Sequence, residues 1–412
     1  MYGWEGGDVT FPGFEAGDYT LEKFSERSAD NNFLDGKYHL SPNIDVEKVI
    51  NHFNQNQAGY ELDVEGKQIA QALESYTANE DVYAGYVMTK LQFARLMLLG
   101  GVRLENTRVK YQSSEVIYDF EGNLDEIRPI EGSTQYTFVL PQLHAKYEIN
   151  DQANLRVAVT RSYARPNFQD IVPSQEIDLN AREGSIGNPD LKPVGAWNVD
   201  LLGERYFGSV GILSGGVFYK RLSDFIFNQR FETDQYPPAD GTTLELTQAQ
   251  NGDQANLFGF ELAYQQNLSF LPGFLKGVSV YANYTFTHSK ARIQNREDNT
   301  ATESIRLPGQ ARHVGNLSLG YEIGRVNFRI SSNFNGEYLS ELGGDAAEDL
   351  YVKDRMQLDA TAAVAINSKI RFFAEFLNIT NQPFEVYRGE STRYIQREFY
   401  SWWTRVGLKI DF

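Results

Sequence analysis

A chain of 412 residues with a net charge of −17, no cysteine and a mean hydropathy of −0.45 lies outside several functional classes. The acidic balance disfavours nucleic acid, which rewards a basic surface, and the missing thiols remove thiolate metal sites, thiol catalysis and disulfides. No stretch approaches the roughly 18–20 continuous apolar residues of a membrane helix, whereas 24 Tyr, 27 Phe and 35 Gly suit pleated β-structure.

Residues 1–79 are polar and punctuated by Gly and Pro, and residues 1–81 hold 16 Asp/Glu against 5 Lys/Arg, most of the acidic excess. Met1-Tyr2-Gly3-Trp4 opens with neither a basic nor an apolar leader region, so no secretion signal is expected at this start. Val46, Val49, Ile50 and Phe53 repeat at helical spacing behind Asp45, a suitable N-cap. Ile69, Leu73 and Tyr76 suggest a second short helix. The segment is expected to be a large decorated surface loop.

From residue 80 to 412 the hydrophobic period is two. Val278, Val280, Ala282, Tyr284 and Phe286 alternate with Ser279, Asn283, Thr285 and Thr287, and Val326, Phe328 and Ile330 with Asn327, Arg329 and Ser331. Near the end, Ile370, Phe372 and Phe376 oppose Arg371 and Glu375, while Leu408, Ile410 and Phe412 oppose Arg405, Lys409 and Asp411. Successive strand residues point to opposite faces, so each segment carries one apolar and one polar face. The pattern predicts about thirteen strands, near 80–92, 96–112, 136–149, 153–165, 195–207, 210–228, 256–270, 276–290, 313–323, 325–337, 355–366, 369–378 and 398–412.

Three features distinguish a membrane barrel from a soluble sandwich. The strands run about 9–15 residues, close to what a tilted membrane strand needs. Tight turns such as Glu322-Ile-Gly-Arg325 and Ile366-Asn-Ser-Lys369 alternate with long polar links near 113–134, 166–194, 229–255, 291–312, 338–354 and 379–397, the rhythm of bacterial outer-membrane barrels. Aromatics also mark the ends of the last strand, with Tyr400, Trp402 and Trp403 at one end and Phe412 at the other. Thirteen antiparallel strands cannot close on themselves without a parallel seam, so an incomplete barrel is expected.

Ordered motifs sharpen this reading. Arg165-Pro-Asn-Phe168 ends a strand, followed by Gly187-Asn-Pro-Asp-Leu-Lys-Pro193, Gly259-Phe-Glu-Leu262, Leu307-Pro-Gly-Gln310 and Glu375-Phe-Leu-Asn-Ile-Thr-Asn381. In these motifs the chain resembles TonB-dependent outer-membrane receptors over residues 80–412. Its detailed pattern is similar to a branch common in Caulobacter- and Xanthomonas-type bacteria. The resemblance implies an all-β fold, an antiparallel outer-membrane β-barrel of about 22 strands with an N-terminal plug, of which about thirteen strands and no plug are expected here. It implies location in the outer membrane of a Gram-negative bacterium, contact with outer-membrane lipids, and a TonB complex engaged through the plug. The implied cargo is a small-molecule nutrient, an oligosaccharide by that branch or a ferric siderophore as the alternative. Arg165, Pro166, Gly187, Asn188, Pro189, Leu191, Lys192, Pro193, Asn378 and Phe412 match the family motifs as scaffold, largely through turn chemistry.

Chemistry beyond binding is not signalled. The five histidines lack metal-ligand spacing, no nucleophile or phosphate-loop motif occurs, and neither enzyme activity nor a cofactor is expected. Trp4, Tyr236, Tyr338 and Tyr387 in the long loops are the aromatic candidates for stacking on a substrate ring. A soluble all-β adhesion module is the alternative of another class.

Overall fold

The computed structural model describes residues 21–25, 44–57, 64–119, 121, 123–172, 175–178, 181–208, 211–233, 243–294, 296 and 302–410. Contacts divide the chain into two compact units, Met1–Gln71 and Ala72–Phe412.

The first unit contains α1 (Leu21–Phe24) and α2 (Val46–Gln55); α3 (Val64–Glu74) runs across the boundary. As expected, Asp45 caps α2, its carboxylate accepting the Lys48 N–H at 3.1 Å. A bridge between Ser25 and Ile44, and the edge of Phe24 against His52 at 5.1 Å, pin α1 to α2.

The second unit is a succession of strands: β1 (Thr77–Phe93), β2 (Leu96–Tyr118), β3 (Leu124–Asn150), β4 (Ala153–Ala164), β5 (Gln175–Asp178), β6 (Glu183–Ile186), β7 (Val194–Tyr206), β8 (Gly211–Ser223), β9 (Ile226–Thr233), β10 (Leu244–Asn251) and β11 (Gln254–Asn267). There follow β12 (Val278–Gln294), β13 (Thr302–Ile305), β14 (His313–Ile323), β15 (Val326–Asn335), β16 (Tyr338–Glu341), β17 (Leu350–Val352), β18 (Arg355–Ala365), β19 (Ile370–Leu377), β20 (Phe384–Arg388), β21 (Tyr394–Glu398) and β22 (Trp403–Ile410). A short helix, α4 (Phe168–Ile171), follows β4.

Thirteen of these form the wall, each antiparallel to the next, in the order β1, β2, β3, β4, β7, β8, β11, β12, β14, β15, β18, β19, β22. Among the described residues β1 pairs only with β2 and β22 only with β19, so the sheet is open at both edges. Both edge strands run toward the short-turn end, which is why they do not form an antiparallel seam.

Register aligns the two faces across the wall. Val280 sits opposite Leu319, Leu319 opposite Ile330, Ile330 opposite Ala360, and Ala360 opposite Phe376. This face is apolar yet open: Leu143 is 56% exposed, Leu262 51% and Leu408 60%. On the other face Asn316 donates to Asn283 at 2.9 Å and Asn333 to Asn316 at 2.6 Å, a polar ladder across three strands. Arg405 pairs with Glu375 at 2.6 Å on that same polar face. The expected facing of β19 and β22 appears in the register, with Phe372 opposite Leu408, Ile370 opposite Ile410 and Arg371 opposite Lys409. Asp411 and Phe412 lie outside the described residues. No described helix is long and apolar enough to cross a membrane.

The long links differ from expectation in being structured. β2 and β3 stay paired from Leu96↔Tyr147 to Tyr118↔Leu124, and the 23 residues of β2 reach roughly 75 Å. Alternation continues past residue 106, but the formerly apolar positions become Arg108, Lys110 and Gln112. The opposite face there carries Val109 and Tyr111, each 2% exposed. Polarity therefore inverts along one continuous strand, which hides its upper half from a search for apolar alternation. Gly132 lies opposite Tyr111, whose ring occupies the place a Cβ would need. Four short strands, β5, β6, β10 and β9, extend the sheet from the upper half of β2, and β16, β17, β20 and β21 form a second small sheet.

The described core lies at this long-hairpin end. Phe225, Leu257, Ala291, Ile293, Leu339 and Leu342 form one cluster, against which Leu307 of the Leu-Pro-Gly-Gln motif packs. Ile177, Leu244 and Leu246 form another. Each of these Phe, Leu and Ile side chains contributes about 1.5–3 kcal/mol by leaving water. The wall has an inside-out distribution by comparison.

Candidate functional site

The Arg-Pro-x-Phe motif closes β4 with a charge bridge. Pairing of β3 with β4 stops at Gln142↔Thr160, and above it the rings of Phe138 and Tyr163 stack at 4.2 Å. Arg165 Nε meets Glu80 of β1 at 3.1 Å, and its Nη2 meets Glu105 of β2 at 2.6 Å. Arg103 and the Tyr163 hydroxyl also donate to Glu105, which is 7% exposed. Pro166 follows where regular structure ends, and α4 then buries Ile171 against Val109 and Tyr111.

The Gly-Asn-Pro motif is a clamp between loops. Gly187 O accepts from Gln248 at 3.2 Å, and Asn188 Nδ2 donates to Ala249 O at 2.9 Å. Pro189 lies in the turn that follows, and Leu191, 2% exposed, plugs the cluster of Val109, Tyr111 and Val172. Lys192 acts through its backbone: its N–H donates to Asn251 Oδ1 at 2.8 Å, while Asn251 Nδ2 donates to Lys192 O at 3.0 Å. Pro193 is buried just before β7. Turn chemistry foresaw the bends, but not that the motif joins three separate segments.

Asn378 ends β19 with φ at 53°, a left-handed conformation that Asn tolerates better than most side chains. Its N–H donates to Asp359 at 2.8 Å, its Nδ2 to Ser401 O at 2.9 Å, and its Oδ1 accepts from Gln382 N at 2.9 Å.

At the long-hairpin end, charges are paired internally. Arg296, with a side chain 2% exposed, donates to Glu303 at 2.6 Å and to Asp349 at 2.5 Å. The hydrogen bond from Arg296 holds Glu303 below the usual carboxylate range, whereas burial pushes Asp349 up despite the same partner. The difference follows exposure, since the Asp349 side chain is 5% exposed and that of Glu303 24%. Arg230 meets Glu341, Arg306 meets Glu337, and Lys353 and Arg397 share Glu385.

The four aromatic candidates are not brought together. Trp4 and Tyr236 lie outside the described residues. Tyr338 begins β16 half-buried, whereas Tyr387 is 5% exposed in β20 and stacks on Tyr351 at 5.3 Å. Burial, with a hydrogen bond to Glu337, pushes the Tyr387 hydroxyl up. A cleft of about 520 Å3 opens elsewhere, between α4 and β5, β6, β9 and β10, with Tyr76 at its border. Its polar walls come from segments far apart in sequence, which no local motif signalled.

The family described as TonB dependent receptor-like, beta-barrel, matches residues 2–379. The chain belongs to that family. Its fold is shared with solved receptors of low identity. The ferric-catecholate import receptor Fiu of E. coli K12 is 17% identical with a TM-score of 0.57, over 82% of this chain and 45% of that one. The ferric yersiniabactin uptake receptor FyuA of Yersinia pestis is 17% identical with a TM-score of 0.53, over 82% and 46%. The hemophore receptor HasR of Serratia marcescens, solved with its hemophore and heme, is 12% identical with a TM-score of 0.56, over 81% and 52%. The TonB-dependent receptor chain thus spans about half the length of the structures it matches.

Proposed function

We propose that this chain works as part of a TonB-dependent receptor in the outer membrane of a Gram-negative bacterium, importing a neutral oligosaccharide. The observation that carries the membrane reading is the continuous apolar face of thirteen registered strands, left open rather than packed. Lipid covers such a face in an outer-membrane barrel, and the polar face lines the lumen. The long hairpins are then extracellular, and residues 1–79 form a further extracellular loop.

Function on this reading is capture at the hairpins and gated passage past a plug, driven by the inner-membrane TonB complex, with no bond made or broken. The neutral-ligand reading rests on charge. Arg230, Arg296, Arg306, Lys353 and Arg397 are each matched by carboxylates at the long-hairpin end, so these cations are already engaged. An anionic ferric chelate meets acidic loops in which these five cations are already matched, while a polyhydroxylated ligand is indifferent to them. The test is calorimetry on the complete receptor in detergent with neutral oligosaccharides and ferric siderophores. Saturable heat with a sugar is expected; saturable siderophore binding with no sugar response would overturn the substrate and leave the barrel reading standing.

A further inference from the structure

The cleft beside α4 has a composition that selects its ligand. Register places Glu176 of β5 opposite Ser185 of β6, and Ser185 opposite Thr247 of β10. Opposed residues on adjacent strands share a face, so one carboxylate and two hydroxyls form a row roughly 10 Å long at the usual strand spacing. Asn228 of β9 and Gln169 of α4 add amides to the same cleft, and Tyr76, 41% exposed, adds an aromatic ring. Among the described residues the side chains of Gln169, Glu176, Ser185, Asn228 and Thr247 have no hydrogen-bond partner, while their neighbours Asn188 and Gln248 are engaged in the loop clamp. Among the described residues no Lys, Arg or His lines the cleft; Arg230, next in the Thr247 row, is engaged by Glu245 and Glu341.

We infer that this cleft is a recognition subsite for a neutral, polyhydroxylated ligand of di- or trisaccharide size. Its volume of about 520 Å3 falls within the roughly 300–1,000 Å3 typical of small-molecule sites. Free carboxylate oxygens accept from ligand hydroxyls, amides and hydroxyls both donate and accept, and the absence of a cation rejects anionic chelates. The inner side of the same short sheet is the packed cluster of Ile177, Leu244 and Leu246, which holds the row rigid. This inference deepens the proposed function and rests on its neutral-ligand reading.

The experiment is calorimetry with maltotriose, cellotriose and xylotriose on the complete receptor and on Glu176→Gln, Asn228→Ala and Thr247→Val variants. Tyr206→Phe, at the short-turn end of β7 and outside the cleft, serves as a control. The thermal transition of each variant in detergent reports folding. At least one trisaccharide is expected to bind saturably, with tenfold or greater weakening in Glu176→Gln and Thr247→Val at an unchanged transition, and little change in Tyr206→Phe. Unchanged affinity in all three cleft variants would place the subsite elsewhere and leave the neutral-ligand reading intact. No saturable binding of any trisaccharide by the unaltered receptor would overturn both.

Discussion

Arg165 and Glu105, 60 residues apart in sequence, meet at 2.6 Å, and the same guanidinium reaches Glu80 at 3.1 Å. One side chain at the end of β4 thereby ties down the first two strands of the wall, where pairing of β3 with β4 has already ceased. Arg165→Met should expose β1 and β2 to faster hydrogen exchange near residues 80 and 105. Glu105 keeps Arg103 and the Tyr163 hydroxyl, so the loss should be about 1–3 kcal/mol, as for a charge-assisted hydrogen bond. A double-mutant cycle with Glu105→Gln should show a coupling of that order. Coupling near zero would mean that the bridge is ornamental.

Asn378 joins a left-handed backbone to three hydrogen bonds. Asn378→Gly keeps the conformation and loses the side-chain bonds; Asn378→Ala loses both. Urea titration of the refolded receptor should rank them wild type, Gly, Ala, with about 1 kcal/mol separating the last two. The reverse order would show that the conformation carries no cost.

The Arg296 cluster sets a pH dependence for the long hairpins. Glu303 titrates below its ordinary value, so its contribution is complete above the ordinary carboxylate range and is lost as pH falls through the depressed value. Asp349 is shifted up, and protonating it first relieves a burial cost while weakening one contact to Arg296. Proteolysis of the hairpins should therefore be steady from neutral pH down to about the ordinary Glu value of 4.5, and rise below it. Glu303→Gln should remove most of that acid step. Arg296→Leu, which strands two carboxylates, should cost about 3–5 kcal/mol at neutral pH.

The wall was legible because two media impose period two on every strand that separates them. Val280 and Leu319 announce one medium, and Asn283 and Asn316 the other. Above the wall that contrast ends, so alternation marks β2 only to about residue 112 although the strand runs to Tyr118. Tyr387, in a polar and charged stretch, reads as a loop ring, yet pairing of β20 with β17 and stacking on Tyr351 bury it. The cleft was illegible for a different reason: Tyr76, Glu176, Ser185, Asn228 and Thr247 have no shared period, and only non-local pairing brings them together.

Facing also has an energetic signature. Leu408, 60% exposed on the apolar face, and Lys409, opposite Arg371 on the polar face, are neighbours in β22. In the complete receptor refolded into lipid, Leu408→Arg should cost about 2–4 kcal/mol if it sits near the midplane. Lys409→Leu should stay under about 1 kcal/mol, as a lumen change places no charge in hydrocarbon. Equal losses would put both residues in the same environment.

The most direct measurement exploits the absence of cysteine from the chain. Single cysteines placed in turn at Val280, Tyr281, Ala282, Asn283, Tyr284 and Thr285 of β12 carry a fluorophore in the complete receptor in bilayers. Its emission is read against spin-labelled lipid and against aqueous iodide. A membrane wall predicts lipid quenching at 280, 282 and 284 and iodide quenching at 281, 283 and 285, in strict alternation. Iodide access at all six positions, with no response to spin-labelled lipid, would contradict it.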